Sequence, residues 1–112
     1  MMNWITLNST DTLSEAIELS KKEKVMILKF SPKCAINYVV RSLLEREWHE
    51  GEMNMKTYLV DVVSGKQLSE KIAKELGVEH ESPQALILEN GKPVFSASHG
   101  KVIFSELRKY AN

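Results

Sequence analysis

The chain reads as an α/β sandwich with a mixed central sheet, its elements following one another as βαβαβαββα. Three observations predict this. Short β-rich runs alternate with helix-period segments through most of the sequence, and such alternation builds parallel strands joined by helical crossovers. Asn90-Gly91 then separates two further β-rich runs, the dipeptide best suited to a two-residue hairpin turn. Finally, "VMILKF" (Val25–Phe30) is apolar at nearly every position, as a strand covered by helices on both sides must be.

Taken in order, "WITL" (4–7) is a short strand. "NSTDTLSEAIELSKKEK" (8–24) follows as a helix, with Thr10 or Asp11 placed to cap it and lysines gathered at its end, where the helix dipole favours them. Leu13, Ala16 and Ile17 form its inward face. After the strand at 25–30, Ile36, Val39, Val40 and Leu43 recur at helical spacing and point to a helix reaching about Trp48. "MKTYLVDV" (55–62) is a second interior strand. "KQLSEKIAKELG" (66–77) is a helix with Leu68, Ile72 and Leu76 on one face and Gly77 at its stop. The hairpin "QALILENGKPVFSAS" (84–98) precedes a last helix, 102–110, expected to bury Ile103, Phe104 and Leu107. No linker or repeat interrupts this order, so residues 1–112 read as one domain.

Composition narrows the function classes. Fifteen basic and fifteen acidic residues cancel, leaving no field to draw in a nucleic-acid backbone or an anionic membrane. The start, "MMNWITLNST", has neither the basic beginning nor the apolar middle of a signal peptide. A lone cysteine cannot make an internal disulfide, so nothing calls for an oxidising compartment and the expected location is the cytoplasm. His49, His80 and His99 have no metal-ligand spacing, and the glycine-lysine pairs lack the upstream glycine of a phosphate loop. Trp48, in a mixed-charge helix end, reads as a solvated face open to a partner.

What remains is Cys34, in "FSPKCAIN" (30–37), at the predicted start of the second helix. Free cysteine is often just a small buried side chain. At a helix N-terminus, however, unsatisfied N–H groups and the positive end of the dipole stabilise a thiolate. Lys29 and Lys33 add positive charge if they turn toward it, which strand alternation does not decide. The benefit is specific. Lowering a thiol's pKa from about 8.5 to about 6 raises its thiolate fraction some ~30-fold at neutral pH and costs on the order of tenfold in nucleophilicity. Attack therefore gains only about twofold, whereas the thiolate becomes a much better leaving group.

Two segments carry a family resemblance. "ILKFSPKCAI" (27–36) and "HESPQALILENGKPVFSASHGKV" (80–102) resemble the monothiol bacilliredoxins, YtxJ-type proteins of the thioredoxin superfamily found in bacteria that use bacillithiol. The resemblance implies a thioredoxin-like three-layer sandwich in which Cys34 is the nucleophile, with Lys33 and Ala35 flanking it. It implies that Pro83 is preceded by a cis bond, with Ser82 offering its backbone to substrate. Glu81 would meet the amine of a thiol ligand, Lys29 and Asn37 are candidate modulators of the site, and His80 either assists proton transfer at Cys34 or is a solvated loop side chain. Asn37 stands where a two-cysteine thioredoxin holds its second thiol, and Ala35 where the family commonly has Pro. The implied activity is removal of bacillithiol from mixed disulfides on cytosolic proteins. Bacillithiol would be a co-substrate, with no bound cofactor, and the partners would be S-bacillithiolated client proteins and a low-molecular-weight thiol. The alternative is a thioredoxin-fold module that binds extended peptide at the Pro83 loop without catalysis.

Overall fold

The computed structural model describes residues 2–51 and 53–111. Strands β1 (Trp4–Thr6), β2 (Val25–Phe30), β3 (Lys56–Asp61), β4 (Gln84–Glu89) and β5 (Lys92–Ser98) form one sheet in the order β1-β3-β2-β4-β5. β1, β3 and β2 run parallel; β4 and β5 are antiparallel additions. The helices are α1 (Thr10–Leu19), α2 (Ala35–Glu50), α3 (Lys66–Leu76) and α4 (Phe104–Leu107). All six residues of β2 are buried, because strand alternation sends Val25 and Ile27 into one layer and Met26 and Leu28 into the other. The first layer packs Leu13 and Ala16 of α1 and Ile72 and Leu76 of α3 against the sheet. The second packs Val40, Leu44 and Trp48 of α2 with Phe104 and Leu107 of α4. Each such aliphatic side chain contributes roughly 1.5–3 kcal/mol by leaving water.

Local chemistry sets the boundaries. Ser9, one residue before the expected Thr10, caps α1, its Oγ accepting from the Thr12 N–H at 3.1 Å. Gly77 ends α3 at φ 69, in the left-handed region. Asn90 and Gly91 take φ 55 and 75, the pair of positive values that a hairpin turn matching the sheet twist requires. That turn is tied to the end of α1, since the Asn90 N–H reaches the Ser20 carbonyl at 2.8 Å and the Gly91 N–H reaches Ser20 Oγ at 2.9 Å.

Two expectations are corrected. In α2 the buried residues are Asn37, Val40, Leu44 and Trp48, while Ile36, Val39 and Leu43 face solvent. The apolar residues of this helix cover an arc wider than the sheet can hide. Trp48, expected on a solvated face, instead meets Phe104 edge-on at 6.2 Å between ring centres and sets the phase. At the C-terminus α4 has four residues flanked by 3₁₀ turns, 99–101 and 108–110. Val102, Phe104 and Leu107 are buried there and Ile103 is exposed.

Candidate functional site

Cys34 is exposed. It occupies the cap position of α2 in an extended conformation, φ −117 and ψ 122, and its side chain caps nothing. The N–H groups of Ala35 and Ile36 begin the helix without intrahelical acceptors, as at any helix start. Behind the thiol, Asn37 fastens the loop: its Oδ1 accepts from the Ser31 N–H at 2.8 Å, and its own N–H donates to the Cys34 carbonyl at 3.1 Å. The Cys34 N–H in turn reaches the Ser31 carbonyl at 3.3 Å. Asn37 is 1% exposed, and its Nδ2 has no partner among the described residues. Lys33 and Ala35 are both exposed beside the thiol.

The sheet register places the second half of the site. Lys29 pairs with Gln84 across β2 and β4, so the next residues outward, Phe30 and Pro83, stand side by side at the carboxyl end of β2, where the Cys34 loop begins. Pro83 is buried, Ser82 half-buried, and the bond between them is cis. Gln84 pairs with Ser98 across β4 and β5, and the His99 N–H continues that ladder to the Pro83 carbonyl at 2.8 Å. Glu81 lies in the same turn, its Oε2 3.0 Å from His99 Nε2.

Lys29 does not turn toward the thiol. Alternation along β2 points it into the layer of α3, where Nζ donates to the Ser69 carbonyl at 3.1 Å and lies 3.1 Å from His80 Nδ1. It is fully buried, and burial lowers its pKa to about 8. His80, otherwise exposed, is pulled below its ordinary value by burial and by the Lys29 charge. With the ammonium donating, Nδ1 is the acceptor and the imidazole proton sits on Nε2. Ser69 Oγ and Gln84 Oε1, buried nearby on the same face, have no partner among the described residues. Lys29 and His80 thus form a polar cluster beneath the 79–83 loop, in the layer opposite α2.

The structure therefore brings Cys34, Lys33, Ala35 and Asn37 together at the start of α2, and Glu81, Ser82 and Pro83 at the adjacent strand end. Sequence reasoning passed over His99, Lys101 and Gln84. Counting outward from Asn90-Gly91 would set Ser98 opposite Pro83; the bulge between Ile87 and Leu88 shifts the register by one and brings His99 there, which spacing alone did not show. No cluster of three or more metal-ligating side chains occurs among the described residues.

A thiol at a helix start, beside a buried proline turn, on a mixed sheet flanked by two helical layers, defines a thioredoxin-fold protein with a thiol–disulfide oxidoreductase-like site. A family model for the monothiol bacilliredoxin BrxC matches residues 5–107, and the chain belongs to that family. A structure provisionally described as an oxidoreductase with a thioredoxin fold is 34% identical, with a TM-score of 0.82 over 95% of this chain and 91% of the other. Two thioredoxins share the fold at lower identity. That of Nicotiana alata gives a TM-score of 0.76 at 16%, covering 99% of this chain and 95% of its own. That of Fasciola hepatica gives 0.70 at 20%, covering 97% and 94%. No helix among the described residues is long and apolar enough to cross a membrane.

Proposed function

We propose that the protein removes bacillithiol from mixed disulfides on client proteins by a single-cysteine route. The observation that carries this reading is the exposed Cys34 at the cap of α2, at the same sheet end as Pro83. The Cys34 thiolate attacks the bacillithiol sulfur of a protein–bacillithiol disulfide. A bond forms between these two sulfurs, the disulfide bond between the bacillithiol sulfur and the client's own sulfur breaks, and the client leaves as a thiolate that takes up a proton. A second low-molecular-weight thiol, as its thiolate, then attacks the bacillithiol sulfur held on Cys34. That step gives a small-molecule disulfide and returns the Cys34 thiolate. No second thiol of this chain takes part; Asn37 fills that position and holds the loop instead.

Support for a protein client comes from α2, whose Ile36, Val39 and Leu43 stay exposed from the first turn onward, Val39 at 53%. In this reading Ser82, before the cis bond to Pro83, offers its backbone to an extended segment of such a client. The cytoplasm is the setting this chemistry requires, since it keeps client thiols reduced.

Mass spectrometry tests the reading. Incubation with oxidised bacillithiol yields a bacillithiol adduct on Cys34 that a reduced thiol removes and that Cys34→Ser lacks. If no adduct forms under conditions that modify free cysteine, catalysis is excluded and the non-catalytic peptide-binding alternative takes its place.

A further inference from the structure

Beyond the thiol, the same end of the sheet carries a groove that the exchange chemistry leaves unused. It opens at the end of β5, has a volume of about 650 Å³, and is lined by Glu81, Ser96, Ser98, His99 and Lys101 among others. That volume falls within the range of small-molecule sites, about 300–1,000 Å³. Its walls are built on backbone bonds. His99 adopts φ 56, which non-glycine residues seldom take, and its N–H is held by the Pro83 carbonyl. The 3₁₀ turn that follows packs on α2. Groove and thiol are therefore parts of one frame.

Distance and charge define what fits. β2, β4 and β5 are consecutive in the sheet, and neighbouring strands stand about 4.8 Å apart, so the end of β5 lies roughly 10 Å from the end of β2. A ligand with its sulfur on Cys34 that extends past Pro83 would place its far end in the groove. The charged lining is of mixed sign, the Glu81 carboxylate, the His99 imidazole and the Lys101 ammonium, while Ser96 and Ser98 turn to the face of Leu86 and Gln84. Lys101 has no carboxylate partner among the described residues. Such a lining suits a polar ligand bearing both an ammonium and a carboxylate, and disfavours an apolar one.

We infer that this groove is the subsite for the polar tail of the small thiol. Its ligand class is a zwitterionic thiol conjugate on the order of 10 Å long, with Glu81 meeting the ammonium and Lys101 the carboxylate. The inference rests on the thiol-exchange reading above and adds to it the recognition of the small thiol that Cys34 takes up.

The test uses one reporter peptide joined by a disulfide to bacillithiol, to glutathione or to 2-mercaptoethanol. The first two carry ammonium and carboxylate groups; the last carries neither. For Lys101→Gln and for Glu81→Gln, kcat/KM for the charged thiol relative to 2-mercaptoethanol falls about fivefold, chiefly through KM, as one partly exposed charge contact would give. An unaltered ratio, or equal slowing of all three disulfides, overturns the subsite. Binding is read separately by titrating S-methylbacillithiol into the Cys34→Ser protein and following backbone amide shifts. Shifts at Glu81 and residues 96–101 that weaken in Lys101→Gln are expected. If binding persists there while no disulfide is turned over, the exchange reading fails and the groove stands. If turnover persists without those shifts, the groove alone falls.

Discussion

Burial of Lys29 makes a sign-definite prediction about stability. Its pKa moves from 10.5 to about 8 because the folded chain desolvates the ammonium, so the native state binds its proton less tightly than the unfolded state. Between pH 8 and 10.5 the unfolded chain keeps that proton while the folded chain releases it, and stability must rise with pH across this window. At 1.36 kcal/mol per pKa unit the full swing is about 3 kcal/mol. Below pH 8 Lys29 is charged in both states and the whole penalty is present. Tyr58 acts in the opposite direction: burial, then Glu15 and Glu23, raise its pKa above 10.0, so its contribution declines only above that pH. His80 titrates below the window. The clean comparison is wild type against Lys29→Met, by urea denaturation at pH 7, 8, 9 and 10. The stability of wild type relative to the variant is level from pH 7 to 8, then climbs by about 2 kcal/mol by pH 10. A difference that stays flat across the series would show that Lys29 is not a desolvated ammonium, and the polar cluster beneath the 79–83 loop would have to be rebuilt.

Two further outcomes test the packing and the loop. Leu44→Ala costs about 2–5 kcal/mol and Leu43→Ala less than about 1, because Leu44 is buried against the sheet and Leu43 is 44% exposed; equal costs in denaturation would refute the observed phase of α2. Asn37→Ala strips the Ser31 N–H of its acceptor and removes an amide whose Nδ2 is already without one, so the net loss is held to about 1–2 kcal/mol. Hydrogen exchange at the Ser31 amide should accelerate well beyond any change in β3, and equal acceleration everywhere would indicate general destabilisation instead.

Much of the fold was legible because its causes are local. β-rich runs at 25–30 and 55–62, the helical repeat of Leu68, Ile72 and Leu76, and Asn90-Gly91 each name their element through backbone preference and periodicity. Together these announce an alternating α/β chain closing on a hairpin. The place of Cys34 at a helix start was legible for the same reason, and the family resemblance directed attention to Pro83. The cis bond before that proline was not readable from composition or spacing, since the same dipeptide is usually trans.

The remainder depended on neighbours distant in sequence. Ile36, Val39, Val40, Leu43 and Leu44 offer an apolar arc with more than one workable phase, and Trp48 docking on Phe104 selected one. Lys29 gave no hint of its direction until the register of β2 set it under α3, fifty-one positions from His80 in sequence and 3.1 Å from it in space. Glu81 met His99 only because two strand ends are adjacent. Sequence alone thus determined which elements form and where the sulfur stands among them, because propensity and periodicity act over a few residues. Tertiary structure decided which side chains share a charge, a layer or a groove, because those relations are set by strand pairing and packing over the whole chain.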